Sequence, residues 1–340
     1  MQSRTPEIPG ATTAWSVTHR ISPADKAAIA ATRALVEPGK GLLRGIAARQ
    51  PFDEIMGHVA PPADVAYEGD TIGGVSGWWA RPTNKRLEGT ILYLHGGWYV
   101  LGTALAYRHF AGHIANRSAA EGIPRSANGA TWDNRTGAEV FVPDYRLAPE
   151  HPFPAGLLDA QACYRGLVGR GARRIAIAGD SAGGGLTLAL LSLLKTQEAS
   201  GGVLPSAAVV LSPLTDLTLS GRSWETRAAA DPYFTKAQGA SLVPLYLGSH
   251  DPKDPLASPL FGNLAGLPPI RVLVGDDELL LDDSLRYVER AVAAGVDARV
   301  DIWEGLPHVF PSAVGQLDAA DQALSAIGTF LAERLSGTHP

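Results

Sequence analysis

The sequence is poor in cysteine and in positive charge. Cys163 is its one cysteine among 340 residues, which excludes an internal disulfide and a cysteine-rich metal site. A lone cysteine is typical of a reducing compartment, and we therefore expect the protein in the cytoplasm. The 29 basic residues are outnumbered by 34 acidic ones, which gives a net charge of −5 and no basic stripe for phosphate groups. We therefore expect a small molecule as partner and no nucleic acid.

Long hydrophobic runs are also missing. The most apolar stretch, residues 182–194, is flanked by Asp180 and Lys195. It is shorter than the roughly 20 residues that a helix needs to cross a bilayer. Prolines and a glutamate interrupt the beginning of the sequence, where a secretion signal needs an apolar core. We expect neither export nor membrane association.

Short apolar segments alternate with helical patterns along most of the chain. Segments this apolar are typical of strands that are buried on both faces, and helices must then cover both sides. The alternation predicts the α/β class, with a mostly parallel central sheet. The apolar segments are residues 90–94, 139–142, 174–178, 207–211, 270–274 and 298–303.

Local patterns predict further elements before the first of these segments. A capping serine followed by proline begins a helix over residues 22–37. A second, short amphipathic piece covers residues 41–50 and ends at Pro51. Extended, aromatic-containing segments are expected over residues 65–81.

Three stretches do not fit the alternation. The first sixty or so residues and residues 212–267 are long, and connections of this length are usually lids or binding elements. Residues 118–136 form a polar loop between a helix and a strand. In a parallel sheet such loops lie on the edge opposite to the one where ligands bind. We therefore expect this loop to be a surface insertion that is remote from the chemistry.

The segment Gly-Asp-Ser-Ala-Gly at residues 179–183 lies between an apolar strand and a long apolar helix. This context is what the nucleophile elbow of serine hydrolases requires. Glycines flank the serine because the turn is too tight for side chains. The hydroxyl then projects at a helix N-terminus, whose positive end favours a developing negative charge. Ser181 is therefore the candidate nucleophile.

The segment His95-Gly96-Gly97-Trp98 closes the strand at residues 90–94. Small residues after a strand allow backbone N–H groups to approach a ligand closely, as an oxyanion hole needs. The candidate donors are the N–H groups of Gly97, Trp98 and Ala182. We expect His95 itself to fix the loop by hydrogen bonding.

A serine nucleophile needs a general base, and position selects one of the nine histidines. In the chain order Ser, Asp/Glu, His, the base follows the last strand, where His308 lies. The orienting acid should lie after the strand at residues 270–274. Composition does not separate the four carboxylates there, which are Asp276, Asp277, Glu278 and Asp282.

No metal or cofactor is predicted. His109 and His113 share a helix face, but Phe110 stands where a zinc protease would carry its glutamate. The nucleophile, the base and the oxyanion donors are all supplied by the chain itself. The chemistry therefore needs no added group.

Together these motifs resemble those of the hormone-sensitive-lipase-like esterases (bacterial family IV) of the α/β-hydrolase superfamily. The resemblance implies an α/β-hydrolase fold with N-terminal cap helices at residues 1–60. It further implies a catalytic domain at residues 61–340 with a cap insertion at about 213–267. The matching segments are, in order, LHGGWYVLGT, DYRLAPEHPFPAGLLDA, GDSAGGGL, LSPLTDLTLSG, DPLASPLF, GDDELLLDD and LPHVF.

The resemblance also implies roles for particular residues. The family places its acid in a D-P-L-x-D pattern, whose register puts Glu278 on the acid and Asp282 on the second aspartate. We favour Glu278, with Asp277 or Asp276 as alternatives, although glutamate departs from the pattern. The cap position makes Leu214, Trp224, Tyr233 and Phe234 candidates for the substrate-binding wall. Trp98 and Tyr99 are further candidates.

Trp98 is a second departure, because the family usually has the third glycine of HGGG there. Its N–H group can still donate if the residue keeps an ordinary backbone conformation. We expect the indole to narrow the pocket and to favour small acyl groups. Packing of the indole against the cap is the alternative.

The resemblance implies a serine carboxylesterase that acts through an acyl-enzyme, with Ser181, Glu278 and His308 as its triad. Together with the expected effect of Trp98, this predicts hydrolysis of small, short-acyl esters. A lactone hydrolase is the alternative, because GDDELLLDD looks like the monoterpene lactone hydrolase branch. A non-catalytic receptor of the same fold is disfavoured, since the plant receptors lack the histidine that His308 supplies here. Relatives are often dimers, which suggests a homodimer by analogy alone.

Overall fold

The computed structural model describes residues 14–120, 136–198 and 201–336. The predicted α/β class is confirmed, because within these ranges ten strands form one sheet that helices flank. The strands are β1 (Ser16–His19), β2 (Val65–Ile72), β3 (Val75–Pro82), β4 (Arg86–Leu94), β5 (Ala119–Ala120), β6 (Thr136–Pro143), β7 (Ile175–Asp180), β8 (Ala207–Leu211), β9 (Ile270–Gly275) and β10 (Ala298–Trp303). The helices are α1 (Pro23–Val36), α2 (Arg49–Gly57), α3 (Ala104–Arg117), α4 (Ala155–Gly169), α5 (Ser181–Gln197), α6 (Ser223–Thr226), α7 (Lys236–Leu247), α8 (Leu281–Ala293) and α9 (Asp318–Leu335).

The sheet has the strand order β1-β10-β9-β8-β7-β4-β6-β3-β2, and β5 pairs with β6. Every pair from β1 to β6 along this order is parallel, whereas β3 and β2 run antiparallel at one edge. The predicted mostly parallel sheet is therefore confirmed.

The core lies in two apolar layers, one on each face of the sheet. Helices α4, α5 and α8 contribute Leu157, Leu190 and Val288 to one layer. Helices α3 and α9 contribute Phe110 and Leu331 to the other. The central strands are buried on both faces, which is why their sequences are apolar without alternation.

The strand register brings the carboxyl ends of the central strands to one edge of the sheet. The loops after β4, β7, β8, β9 and β10 therefore begin side by side, which is where ligands bind in open α/β sheets. The terminal pairs are Leu94 with Gly179, Asp180 with Leu211, and Gly275 with Trp303.

Two N-terminal elements differ from the sequence prediction. The sheet includes β1, in the stretch that did not fit the alternation, as an edge strand beside β10. Four residues are too few to display a period, so only the pairing reveals this strand. The short helix expected over residues 41–50 is instead α2, which runs through Pro51. Proline is tolerated there because the first-turn N–H groups need no intrahelical acceptor. The helix over residues 22–37 is confirmed as α1, with Ser22 as its N-cap.

The N-terminal stretch and the insertion after β8 contact each other. The Gly41 N–H group donates to the Tyr233 carbonyl (2.9 Å), and the Gln238 amide donates to the Leu43 carbonyl (2.7 Å). Their division into cap and catalytic domain stays a prediction. Most of the polar loop, residues 121–135, lies outside the described residues. No helix in the described ranges is long and apolar enough to span a membrane.

Candidate active site

The candidate nucleophile lies at a sharp turn between β7 and α5. Ser181 is the first residue of α5, and its φ of 54° lies in the left-handed region. Side chains at the flanking glycines are excluded: a Cβ on Gly183 would lie 2.0 Å from the Leu94 carbonyl oxygen, and one on Gly179 would lie 2.5 Å from the Gly183 oxygen. The turn therefore has the tight geometry that the Gly-x-Ser-x-Gly pattern predicts.

The loop after β9 carries Glu278 and is called the acid loop, and the loop after β10 carries His308 and is called the base loop. The two loops meet in a buried pair of side chains. His308 Nδ1 lies 3.0 Å from Glu278 Oε1, and both side chains are buried. An ionised carboxylate only accepts hydrogen bonds, so Nδ1 carries the hydrogen in this contact. The neutral ring then has its lone pair on Nε2, which is the nitrogen that a general base uses.

The other three candidate carboxylates have different partners. None of them contacts His308 within the described residues, so the structure separates residues that composition does not. Asp276 accepts from the Gly305 N–H group (2.6 Å), Asp277 pairs with Arg33 (2.5 Å), and Asp282 accepts from the Arg222 N–H group (2.6 Å).

The segment after β8 links the nucleophile to the acid–base pair. The Leu214 N–H group donates to the Ser181 carbonyl (3.0 Å), and the Ser212 hydroxyl donates to Glu278 Oε2 (2.7 Å). Across the described ranges, no hydrogen bond joins the Ser181 hydroxyl to the His308 ring. Catalytic hydrogen bonds are often loose in a free enzyme and tighten when substrate binds.

The electrostatic surroundings favour the protonated form of His308. Burial lowers the pKa of His308, but the charge and the hydrogen bond of Glu278 raise it, and the net pKa lies above the ordinary 6.5. The charges of Asp231 and Asp180 act in the same direction. The site is therefore suited to hold an imidazolium during a reaction.

The candidate oxyanion loop has an unusual backbone. The φ angles are 112° at Gly97 and 59° at Trp98. The condition of an ordinary backbone conformation at Trp98 is therefore not met, because the loop keeps the left-handed turn that a glycine would adopt. Within the described residues, the N–H groups of Gly97, Trp98 and Ala182 donate no hydrogen bond to the protein. All three donors are therefore free of protein acceptors.

Asp180 joins two parts of the candidate site, and the sequence did not predict this link. Its buried carboxylate accepts hydrogen bonds from the Tyr93 hydroxyl (2.8 Å), the Gly96 N–H group (2.9 Å) and the Tyr107 hydroxyl (3.2 Å). Burial raises the pKa of Asp180 to about 6. Asp180 thus ties the nucleophile turn to the oxyanion loop. The only signal for it was its place beside Ser181, which the motif leaves unspecified.

His95 lies beneath the oxyanion loop. Its ring stacks on Tyr145 with 4.3 Å between centroids, and Nδ1 lies 2.8 Å from the Gly96 carbonyl oxygen. Burial lowers the pKa of His95 to about 4, so the ring is neutral near pH 7. These contacts are those of a residue that holds the loop.

Left-handed backbone is concentrated at the site. Seven non-glycine residues in the described ranges have positive φ, and five of them lie in the loops that carry the candidate site. Such residues persist only where the surrounding structure determines their conformation. The five are Trp98, Tyr99, Ser181, Ser212 and Val309.

Three aromatic side chains pack beside the base. The Phe234 ring contacts the His308 ring edge-on, with 5.0 Å between centroids, and the Trp98 ring in the same manner at 5.8 Å. Trp224 lies against Trp98 at 6.3 Å. A Cβ on Gly239 of α7 would lie 3.1 Å from Trp98 and 3.2 Å from Trp224, so both indoles reach the helix backbone.

The other predicted wall residues are Tyr99, Leu214 and Tyr233, and each has different contacts. Tyr99 is buried and stacks on Tyr246, with 3.8 Å between centroids. Leu214 is buried and touches the nucleophile turn through its backbone. Tyr233 lies at the junction of the insertion and the N-terminal stretch, with its ring 6.2 Å from that of Phe234.

No cluster of three potential metal ligands occurs among the residues that the structure describes. The two helix histidines instead contact backbone carbonyls. His109 contacts the Val59 oxygen at 2.9 Å, and His113 contacts the Ala60 oxygen at 2.8 Å.

Comparison with known proteins finds similar sequences and structures among hydrolases and esterases. Residues 130–312 match the model of a family described by the α/β-hydrolase fold. An acetyl-hydrolase of Streptomyces hygroscopicus is 37% identical over 274 residues, which cover 80% of this chain and 83% of that protein. An esterase of Acinetobacter venetianus is 34% identical over 243 residues, which cover 71% and 73%. The crystal structure of an esterase from the bacterial hormone-sensitive lipase (HSL) family matches with a TM-score of 0.79 and 36% identity, covering 92% of this chain and 99% of that one.

Proposed function

The chain belongs to the hormone-sensitive-lipase-like esterases of the α/β-hydrolase superfamily and is a carboxylic ester hydrolase; from this premise we propose a serine esterase for short acyl groups. In this proposal Ser181 is the nucleophile, His308 the general base and Glu278 the orienting acid. The observation that carries it is the 3.0 Å contact between the buried Glu278 and His308 side chains, in the loops beside the nucleophile turn.

The reaction follows from the roles of these side chains. The Ser181 oxygen bonds to the ester carbonyl carbon while His308 Nε2 takes the hydroxyl proton, and Glu278 stabilises the imidazolium that forms. The N–H groups of Gly97, Trp98 and Ala182 stabilise the oxyanion. The imidazolium returns the proton to the alkoxide that leaves as alcohol. Water then attacks the acyl-enzyme by the same route and releases the acid and the free serine.

The preference for short acyl groups is proposed from the packing around Trp98. The indoles of Trp98 and Trp224 fill the space up to the backbone of α7 at Gly239, and Phe234 lies between Trp98 and the base. We infer that this packing restricts the room for a long acyl chain. The name of the acetyl-hydrolase from Streptomyces supports the same preference.

An acyl-chain series tests this proposal. We expect kcat/KM for p-nitrophenyl esters to fall at least tenfold between acetate or butyrate and octanoate. Ser181→Ala should lower kcat by roughly 10⁴-fold or more, as removal of a triad member does. Ser192→Ala is the matched control, because its hydroxyl lies on the same helix and, among the residues that the structure describes, bonds only the Leu188 carbonyl (3.2 Å). Substantial turnover by Ser181→Ala would exclude the nucleophile, and equal rates along the series would exclude the chain-length preference.

A lactone panel in the same assay tests the alternative substrate class. We expect acyclic acetate esters to have the higher kcat/KM. A lactone that exceeds every acyclic ester by tenfold or more would instead make the protein a lactone hydrolase with the same triad.

We also propose that the enzyme works in the cytoplasm. Cys163 is buried and unpaired, and burial raises the pKa of its thiol to about 12, which suits a protein that depends on no disulfide. Cell fractionation with an antibody to the native protein tests this. Recovery mainly in the culture medium or the envelope fraction would contradict it.

A further inference from the structure

Ser212 has a conformation that its residue type does not favour. It directly follows β8, is buried, and has a φ of 47°. Its N–H group donates to the Leu273 carbonyl (2.7 Å), which anchors the backbone of the turn. Glycine would adopt this conformation at lower cost, so the serine side chain has to be explained by what it contacts.

The hydroxyl of Ser212 joins the acid loop to the base loop. It donates to Glu278 Oε2 (2.7 Å) and accepts from the Val309 N–H group (3.1 Å). The other carboxylate oxygen, Oε1, is the one that contacts His308. The loops after β8, β9 and β10 therefore meet at the buried hydroxyl oxygen of Ser212.

This hydroxyl restrains both partners of the acid–base pair. With Oε2 held, the carboxylate is less free to rotate, and Oε1 stays directed at Nδ1. Val309, with a φ of 51°, follows His308 directly, so its hydrogen bond restrains the backbone that carries the imidazole. The Gly275 N–H group also donates to Oε2, at 3.2 Å.

We propose that Ser212 is a positioning residue of the active site, which acts through Glu278 and the backbone of Val309. It touches neither substrate nor reacting atoms, and its effect is on the orientation of the imidazole. The inference rests on the triad proposed above.

Two substitutions separate positioning from plain stability. Ser212→Ala removes the hydroxyl and keeps the left-handed strain, whereas Ser212→Gly removes the hydroxyl and relieves that strain. We expect both variants to lower kcat about 10- to 100-fold, with KM within twofold, because each loses a hydrogen bond to a buried charge. The urea midpoint should be higher for Ser212→Gly than for Ser212→Ala. If Ser212→Ala does not fold, Ser212→Gly carries the test alone.

A nearby hydroxyl provides the control. Ser223 is also buried, and its hydroxyl donates to the Leu279 carbonyl (2.5 Å) next to the acid, without contacting the carboxylate. Ser223→Ala should keep kcat within threefold of wild type. The inference would be overturned if Ser212→Gly recovered activity together with stability. It would also be overturned if both Ser212 variants had the wild-type kcat.

A double-mutant cycle tests whether Ser212 acts through the acid. In a Glu278→Gln background, Ser212→Ala should lower kcat at least threefold less than it does in the wild type, because the carboxylate it orients is gone and only the Val309 hydrogen bond remains to be lost. The full loss in that background would overturn the inference. Failure of the proposed triad would be recognised separately from failure of this inference. Ser181→Ala would then retain turnover, whatever the activity of the Ser212 variants.

Discussion

Replacement of Glu278 by glutamine tests the acid assignment most directly. The carboxylate is buried, lies 3.0 Å from His308 Nδ1, and is the only one of the four candidate carboxylates that contacts the ring within the described residues. Loss of one partner of a buried ion pair costs about 3 to 5 kcal/mol. Catalysis starts from the neutral ring and forms the imidazolium during the reaction, so this cost falls on the barrier. We expect kcat to fall roughly 10²- to 10⁴-fold at 1.36 kcal/mol per factor of ten.

The same variant should shift the pH profile. The base must be neutral to take the serine proton, so kcat/KM rises as pH increases through the pKa of His308. In the wild type Glu278 raises that pKa above 6.5, so the acid limb lies above this value. In Glu278→Gln the raising charge is gone and burial still lowers the pKa. The acid limb should therefore move to lower pH.

Asp277→Asn and Asp276→Asn are matched controls, because each makes the same chemical change in the same loop. Both should keep kcat within about threefold, since their carboxylates contact Arg33 and Gly305 instead of His308. Urea unfolding of each variant separates lost catalysis from lost folding. A large loss in either aspartate variant with little loss in Glu278→Gln would show that the acid is misassigned.

Two further variants test the oxyanion loop and its support. Trp98→Gly should raise kcat/KM for octanoate relative to acetate at least fivefold, since glycine removes the indole and suits the φ of 59°; an unchanged acyl-chain profile would mean that the indole does not limit the pocket. Asp180→Asn should lower stability by about 1 to 3 kcal/mol, because an amide nitrogen cannot accept the hydrogen bonds that the carboxylate receives from Tyr93, Gly96 and Tyr107. Its kcat should fall as well, and a urea midpoint and kcat equal to the wild type would contradict this role.

Much of the fold could be predicted because strands that are buried on both faces have continuous apolar sequences. Each apolar segment expected as a strand is one, and their order along the chain already indicates a parallel sheet. Strand β1 could not be found in this way, since four residues at an edge show no period. Helix α2 was misjudged because Pro51 looks like a stop signal but lies within the first turn.

The candidate site was predictable where a local motif determines the geometry. Ser181 and His308 stand at recognisable places in the chain order. The choice among the acid-loop carboxylates was not available from composition, because it depends on which side chain faces a ring thirty residues away. Asp180 and Ser212 were missed for a related reason: their partners are distant in sequence, and neither residue type is diagnostic by itself.

The residues with left-handed backbone around the site lower the stability of the fold, although their side chains contribute packing and hydrogen bonds. Each such position costs about 1 kcal/mol or more, and glycine would relieve much of it. Glycine at Trp98 would, however, leave a cavity where the buried indole packs, and glycine at Ser212 would lose two buried hydrogen bonds. Engineering for hot conditions should leave these turns untouched and seek its gains elsewhere in the molecule, for example at exposed Leu35 and Leu42 near the N-terminus.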